Sequence, residues 1–149
     1  MRVVLAADHR GYELKDALAV HIRDNGHDVT DLGTSSAESV DYPDSALAVG
    51  RAIQDGGADR GILVCGSGVG ACIAANKLHG VRAGVTHDTY SAHQGVEHDD
   101  MNVICLGSKI IGEELAREIV DSFLAAKFNP EPRYLRRLEK VKAMEERHD

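Results

Sequence analysis

The chain has no Trp, and only four Tyr and two Phe supply aromatic rings, while Ala and Gly are plentiful. That mix suits helices packed closely on a sheet. Cysteine is scarce and odd in number: Cys65, Cys72 and Cys105 show no Cys-x-x-Cys spacing. Neither a disulfide framework nor a structural zinc site is expected, and a reduced, cytoplasmic chain fits. No apolar run reaches the roughly eighteen residues of a membrane span. The apolar stretch at residues 1–7 is too short for a signal peptide. There is also no uninterrupted basic block, and the formal net charge is −7. Binding a polynucleotide depends on many Lys and Arg contacts to phosphate, so nucleic acid is not an expected partner. At 149 residues the chain reads as one domain, 1–149. A domain of this size buries about two-thirds of the surface its unfolded form exposes, without needing a disulfide or a metal.

What is present is an alternation of strands and helices. Residues 2–7 form a β-rich run, and behind it Leu14, Ala17, Leu18, His21 and Ile22 recur at helical spacing until Asn25-Gly26. Residues 28–32 read as a second strand closed by Gly33, and 34–41 as a loop. Pro43 suits the start of a helix with Ala46, Val49 and Ile53 on its apolar side. Residues 61–65, 81–85 and 103–106 complete five strands. The helices between them run through Asn76, over 89–97, and along a long segment carrying Leu115, Ile119, Val120, Phe123 and Leu124. This order predicts a Rossmann-like three-layer α/β/α sandwich with a five-stranded parallel sheet. An extra helix over about 133–147 follows the break at Asn129-Pro130-Glu131-Pro132. Its stripe of Tyr134, Leu138, Val141 and Glu145, with Leu135 and Met144 nearby, must be covered by its own domain or by a partner subunit. Packing on a partner is the expectation carried forward.

In such sheets ligands bind beyond the carboxyl ends of the strands. Asp8-His9, Cys65 with the loop after it, and Lys109 all follow strands and should gather on one edge. Cys65-Gly66-Ser67-Gly68-Val69-Gly70 is the strongest local signal. Its glycines let successive backbone N–H groups face a ligand, and the helix that begins there favours negative charge. A cysteine in that position should have a lowered pKa. The same residues also read as a plain tight turn with Cys65 buried. Gly66-x-Gly68-x-x-Ala71, with Asp88 downstream, fits the loose dinucleotide pattern as well. No Gly-Lys-Ser/Thr follows, so a P-loop is excluded.

Histidine is the commonest acid or base at neutral pH, and His98 sits in the run His98-Asp99-Asp100. That run precedes a strand, so simple topology puts it on the far edge unless the segment folds back or a second subunit delivers it. His27, His79 and His148 read as surface residues, and His21 as a packed one. His87, His93 and His98 match no common zinc spacing, and no metal is expected. Asp8-His9 also reads as a helix cap plus a loop histidine. Arg133, Arg136 and Arg137 read either as a solvated helix face or as guanidinium forks for a phosphate.

Six motifs in order carry a resemblance across nearly the whole chain. They are Asp8-His9-x-Gly11-x-x-Leu14-Lys15, Asp41-Tyr42-Pro43, the run from Cys65 to Gly70, Ala74-Ala75-Asn76-Lys77, His98-Asp99-Asp100-x-Asn102-Val103, and Arg133-x-x-x-Arg137. Together they closely resemble the type B ribose-5-phosphate isomerase family, which includes the galactose-6-phosphate isomerase subunits. The resemblance implies a cofactor-free and metal-free aldose–ketose isomerase of carbohydrate metabolism, such as the pentose phosphate pathway. It would interconvert ribose 5-phosphate and ribulose 5-phosphate through an enediolate. It further implies that Cys65 is the base and His98 opens the sugar ring. Backbone N–H groups of Gly66, Ser67, Gly68, Val69 and Gly70 would hold the enediolate oxygens. Lys109, Arg133, Arg137 and His9 would hold the phosphate, and Asp8 and Tyr42 would line the sugar. Homodimers that share sites are implied, with further association to tetramers left open.

Four residues depart from the family pattern. Asp99, a sugar-contacting position, stands where Asn is usual; Tyr134 replaces a common His; Lys109 replaces a common Arg; and Ser67 replaces Thr. Members lacking the cysteine place Glu where this chain has Ala71, which leaves Cys65 as the only candidate base. The substrate could therefore be another aldose phosphate of four to six carbons, such as galactose 6-phosphate or allose 6-phosphate. The reading from a different class is a sugar-phosphate- or nucleotide-binding module without turnover.

Overall fold

The computed structural model describes residues 1–146. The expected helix end at Arg147, and His148, lie outside the described residues. Strands β1 (Arg2–Ala7), β2 (Asp28–Asp31), β3 (Arg60–Cys65), β4 (Ala83–Val85) and β5 (Val103–Gly107) form one sheet of order β2-β1-β3-β5-β4. Every pairing is parallel. The central strands are buried on both faces, and successive side chains point to opposite sides. Val3, Leu5, Ala7, Ile62, Val64, Ile104 and Leu106 enter one core. Val4, Ala6, Leu63, Cys65, Val103 and Cys105 enter the other.

Helices α1 (Tyr12–Asp24), α4 (Thr89–Asp99) and α5 (Glu113–Ala125) cover the first core. Helices α2 (Tyr42–Gln54) and α3 (Val69–Ala75) cover the second. The three-layer α/β/α sandwich read from the sequence is therefore the fold. Because α1, which follows β1, and α3, which follows β3, lie on opposite faces, β1 and β3 flank a switch point, where a crevice opens above their carboxyl ends. Among the described residues no helix is long and apolar enough to cross a membrane.

Some details differ from the sequence reading. β4 begins at Ala83 rather than residue 81, because Asn102 captures the backbone of Arg82. The Asn102 side-chain oxygen accepts from Arg82 N at 2.8 Å, and Arg82 O accepts from Asn102 N at 3.0 Å. Leu115 is exposed, since α5 turns Ala116, Ile119, Val120, Phe123 and Leu124 inward. On α1 the buried face includes Lys15, which a helical-wheel reading assigns to solvent. His21 is packed as expected, with Nε2 2.8 Å from Asp121.

Helix α6 (Pro132–Glu145) splits its apolar stripe. Tyr134 and Leu138 are buried against the chain's own body, where the Glu145 carboxylate accepts from Gly80 N. Leu135, Val141 and Met144 remain exposed.

Candidate active site

The carboxyl ends of β1, β3 and β5 lie side by side, with Ala7 opposite Val64 and Cys65 opposite Gly107. The loops that leave them are tied together. Ser108 N donates to Cys65 O at 2.8 Å, Lys109 N to Gly66 O at 3.0 Å, and Ser108 Oγ to Arg10 O at 2.8 Å. Above them opens a cleft of about 620 Å³, lined among others by Asp8, His9, Arg10, Tyr42, Cys65, Gly66, Ser67, Gly70 and Lys109. The gathering expected on one edge is thus observed, and Arg10 joins it.

Cys65, the last residue of β3, is buried at 5% exposure yet lines the cleft. Its sulfur accepts the N–H of Gly68 at 3.1 Å. That turn needs glycine: Gly68 has φ +81°, and a Cβ there would lie 3.1 Å from the Leu106 carbonyl carbon. Gly68 therefore works from behind, holding the sulfur, and neither it nor the exposed Val69 lines the cleft. Gly70 serves a different need. A Cβ on it would come 2.7 Å from Cζ of Tyr42, so the missing side chain lets the tyrosine ring form the wall. Ser67 Oγ accepts from Val69 N at 3.2 Å and steadies the loop.

Asp8 is buried and caps the turn into α1: its Oδ1 accepts from Arg10 N at 2.9 Å and Gly11 N at 3.1 Å. Its Oδ2 has no partner among the described residues, which leaves an acceptor for a ligand hydroxyl. His9 Nδ1 lies 3.2 Å from Val40 N and 3.3 Å from Val40 O, which pins the loop before α2 over the cleft and leaves Nε2 for a ligand. Arg10 and Lys109 flank Gly66. Neither cation has an ion-pair partner among the described residues, so that part of the cleft is built to receive an anion.

Four of the residues singled out from the sequence lie elsewhere in the chain. His98 stands at the far end of α4, ahead of β5, as topology requires. Its ring stacks on Tyr134 with centroids 4.2 Å apart and planes at 17°. Arg133 rests on the same tyrosine, its guanidinium carbon 4.6 Å from the ring centroid. Arg137 follows one turn later on α6. Asp99 lines a separate groove of about 450 Å³ with Asn76, Arg82, Leu138 and Met144. The segment does not fold back, so one copy of the chain does not bring His98, Asp99, Arg133 and Arg137 to Cys65.

Sequence reasoning passed over Arg10, although it sits between Asp8-His9 and Gly11. It also passed over Cys72, whose thiol is drawn down to about 7, chiefly by a hydrogen bond from Cys105 and against the effect of burial. Cys105, buried, moves upward for the same reason. His87 accepts from Gly107 N at 2.9 Å through Nε2 and so serves the backbone. Among the described residues no group of three or more His, Cys, Asp or Glu side chains could hold a metal.

The model of the ribose/galactose isomerase family matches residues 3–141. Ribose-5-phosphate isomerase B of Escherichia coli K12 is 42% identical over 148 residues, covering 99% of each chain. A D-erythrulose-4-phosphate isomerase of Pectobacterium atrosepticum is 41% identical over 129 residues, covering 86% of this chain and 85% of its own. The solved structure of Clostridium thermocellum ribose-5-phosphate isomerase B superposes with a TM-score of 0.97 at 42% identity, covering all of both chains.

Proposed function

The chain belongs to the ribose/galactose isomerase family, and from that premise we propose that it is an aldose–ketose isomerase interconverting ribose 5-phosphate and ribulose 5-phosphate. The observation that carries the proposal is Cys65. It lines the cleft with a backbone N–H on its sulfur, between the Asp8–Tyr42 wall and the unpaired cations Arg10 and Lys109.

The chemistry follows from that placement. The Cys65 thiolate removes the proton from C2 of the open-chain aldose as the carbonyl oxygen at C1 takes up negative charge. Of the loop expected to hold the enediolate oxygens, Gly68 and Val69 have their N–H groups on the Cys65 sulfur and on Ser67 Oγ. The backbone N–H groups of Gly66, Ser67 and Gly70, which line the cleft, therefore donate to those oxygens and lower the barrier where charge develops. Once a proton has passed between the two oxygens, the Cys65 S–H returns its own to C1, and the product is the ketose. A positioned base of this kind contributes about a hundred- to ten-thousand-fold. No hydride leaves the substrate, so the reaction calls for no nicotinamide, and oxyanion donors on the loop make a metal unnecessary. Asp8 and Tyr42 contact the sugar, while His9, Arg10 and Lys109 hold the phosphate.

Two copies of the chain make the complete site in this reading. His98 of a second copy opens the sugar ring, Asp99 meets a sugar hydroxyl, and Arg133 and Arg137 close over the phosphate. The exposed Leu135, Val141 and Met144 on α6 give that homodimer apolar surface to cover. Its three free cysteines suit the reducing cytoplasm.

A second reading has the same chemistry acting on a four-carbon sugar phosphate. It is favoured by the relative named D-erythrulose-4-phosphate isomerase and by Lys109 and Asp99, which change the donors at both substrate ends.

A panel of aldose phosphates of four to six carbons ranks the substrates, with ribose 5-phosphate expected first. In deuterated water the wild-type enzyme should wash deuterium into C1 or C2. Cys65→Ala should lose that exchange while keeping its fold and its affinity for the sugar phosphate. Exchange retained in Cys65→Ala would move the base elsewhere, and a folded protein inactive on the whole panel would leave only the binding-module reading.

A further inference from the structure

We propose that Gln94 and Tyr134 are positioning residues for His98: Gln94 decides which ring nitrogen carries the proton, and Tyr134 fixes the plane of the ring. The inference rests on the reading in which His98 opens the sugar ring.

Gln94 and His98 stand four residues apart on α4, so their side chains meet on one face of the helix. The Gln94 amide nitrogen lies 2.8 Å from His98 Nδ1. An amide nitrogen has no lone pair to offer, so it donates and Nδ1 accepts. A neutral imidazole with Nδ1 as acceptor carries its proton on Nε2. That is the proton ring opening needs, because the ring oxygen gains one as the C1–O bond breaks and the C1 hydroxyl gives one up. In the opposite tautomer a lone pair would face the ring oxygen.

Tyr134 acts on the orientation of the same ring. The two rings stack nearly parallel, at 4.2 Å and 17°, which leaves the imidazole little freedom to tilt. The tyrosine is held in turn by Arg133, whose Nη2 donates to its hydroxyl oxygen at 2.8 Å and whose guanidinium lies over its ring. Arg133 and His98 thus both rest on Tyr134. The group assigned to the phosphate and the group assigned to the ring are delivered by one copy as a single block.

The test uses 15N-histidine-labelled enzyme, with the His98 signals assigned from His98→Asn, and two substrates. Ribose 5-phosphate closes a ring; a four-carbon aldose 4-phosphate does not, because its C4 oxygen is esterified. In the wild type, His98 Nδ1 should show the shift of an unprotonated nitrogen and Nε2 that of a protonated one. Gln94→Leu should mix the two forms and lower kcat on ribose 5-phosphate by about tenfold, a fraction of what a positioned acid contributes. On the four-carbon substrate it should cost less than about twofold by the same argument. Gln94→Glu, whose carboxylate accepts instead of donating, should move the proton to Nδ1 with a similar selective loss. Tyr134→Phe keeps a stacking ring and should retain the wild-type tautomer and most of the rate. A wild-type proton on Nδ1, or Gln94→Leu with unchanged kcat on ribose 5-phosphate, overturns the proposal while leaving the isomerase intact. If His98→Asn harms both substrates equally, the ring-opening role itself fails and this inference with it.

Discussion

Arg10 and Lys109 come from different loops, one after β1 and one after β5, yet they converge on Gly66 with no acidic partner among the described residues. In an acidic chain two unneutralised cations in one part of a cleft imply a ligand that supplies the negative charge. A hydrogen bond to a charged group contributes about 1.5–3 kcal/mol, equivalent to roughly ten- to a hundredfold in binding. Arg10→Ala is therefore expected to raise KM for ribose 5-phosphate by about that factor, with kcat little changed, because the phosphate is held equally in ground and transition states. Inhibition by inorganic phosphate should weaken in parallel. An unchanged KM would take Arg10 out of the phosphate site. Lys15 shows the other use of a buried cation. Its ammonium, fully buried, lies 2.6 and 2.7 Å from the two oxygens of Asp31 and 2.9 Å from Asp16. Here the charge is neutralised within the fold and ties α1 to β2. The place of Arg10 at the cleft and the burial of Lys15 were not visible along the chain. A Lys on an amphipathic helix looks solvated, and its partner Asp31 lies on the next strand.

At the scale of elements, α4 matters most, since it carries both Gln94 and His98. Its N-cap is Asp88, whose Oδ1 accepts from Ser91 N at 2.6 Å. That backbone hydrogen bond, first among its causes, holds the Asp88 carboxyl below the usual carboxylate range. The folded state therefore releases this proton more readily than the unfolded chain. The stability it contributes is complete above the ordinary carboxylate pKa and is lost as pH falls through the lowered value. Asp88→Ala should cost about 1 kcal/mol, read as a shift in the urea midpoint at neutral pH. Asp88→Asn caps nearly as well and should keep most of that stability while flattening its acid dependence. Equal loss in both variants would mean that the carboxylate charge, and not the cap, is what matters. Elements of this kind were legible in the sequence because their signals are local. Pro43 marks the start of α2, and the Cys65–Gly70 run marks the end of β3. The five strands show as short apolar runs. Most bounds moved by a residue or two, and at β4 a distant side chain, Asn102, accounts for the shortening.

At the scale of the molecule, the proposed site is divided between two ends of one chain. Cys65 and its cleft sit at the carboxyl edge of the sheet, while His98, Arg133 and Arg137 stand together beyond the amino end of β5 on α4 and α6. Strand order could place His98 on the far edge from sequence alone, but what it faces there depends on α6, and in the proposed dimer on a second copy, about which local pattern says nothing. If two copies each lend their His98 block to the other's cleft, the halves must complement. Cys65→Ala and His98→Asn should each be nearly inactive alone. Mixed, unfolded and refolded together in equal amounts, they should form heterodimers as half of all dimers. Each heterodimer joins the intact Cys65 of one chain to the intact His98 of the other in one of its two sites, and both substitutions fall in the second. Random pairing therefore predicts recovery of about a quarter of wild-type activity, with none regained if the variants are mixed without subunit exchange. A closed dimer in which each site draws on one chain alone would recover nothing under either condition. Sedimentation of the refolded mixture, with one variant tagged, separates that outcome from a failure of the chains to exchange.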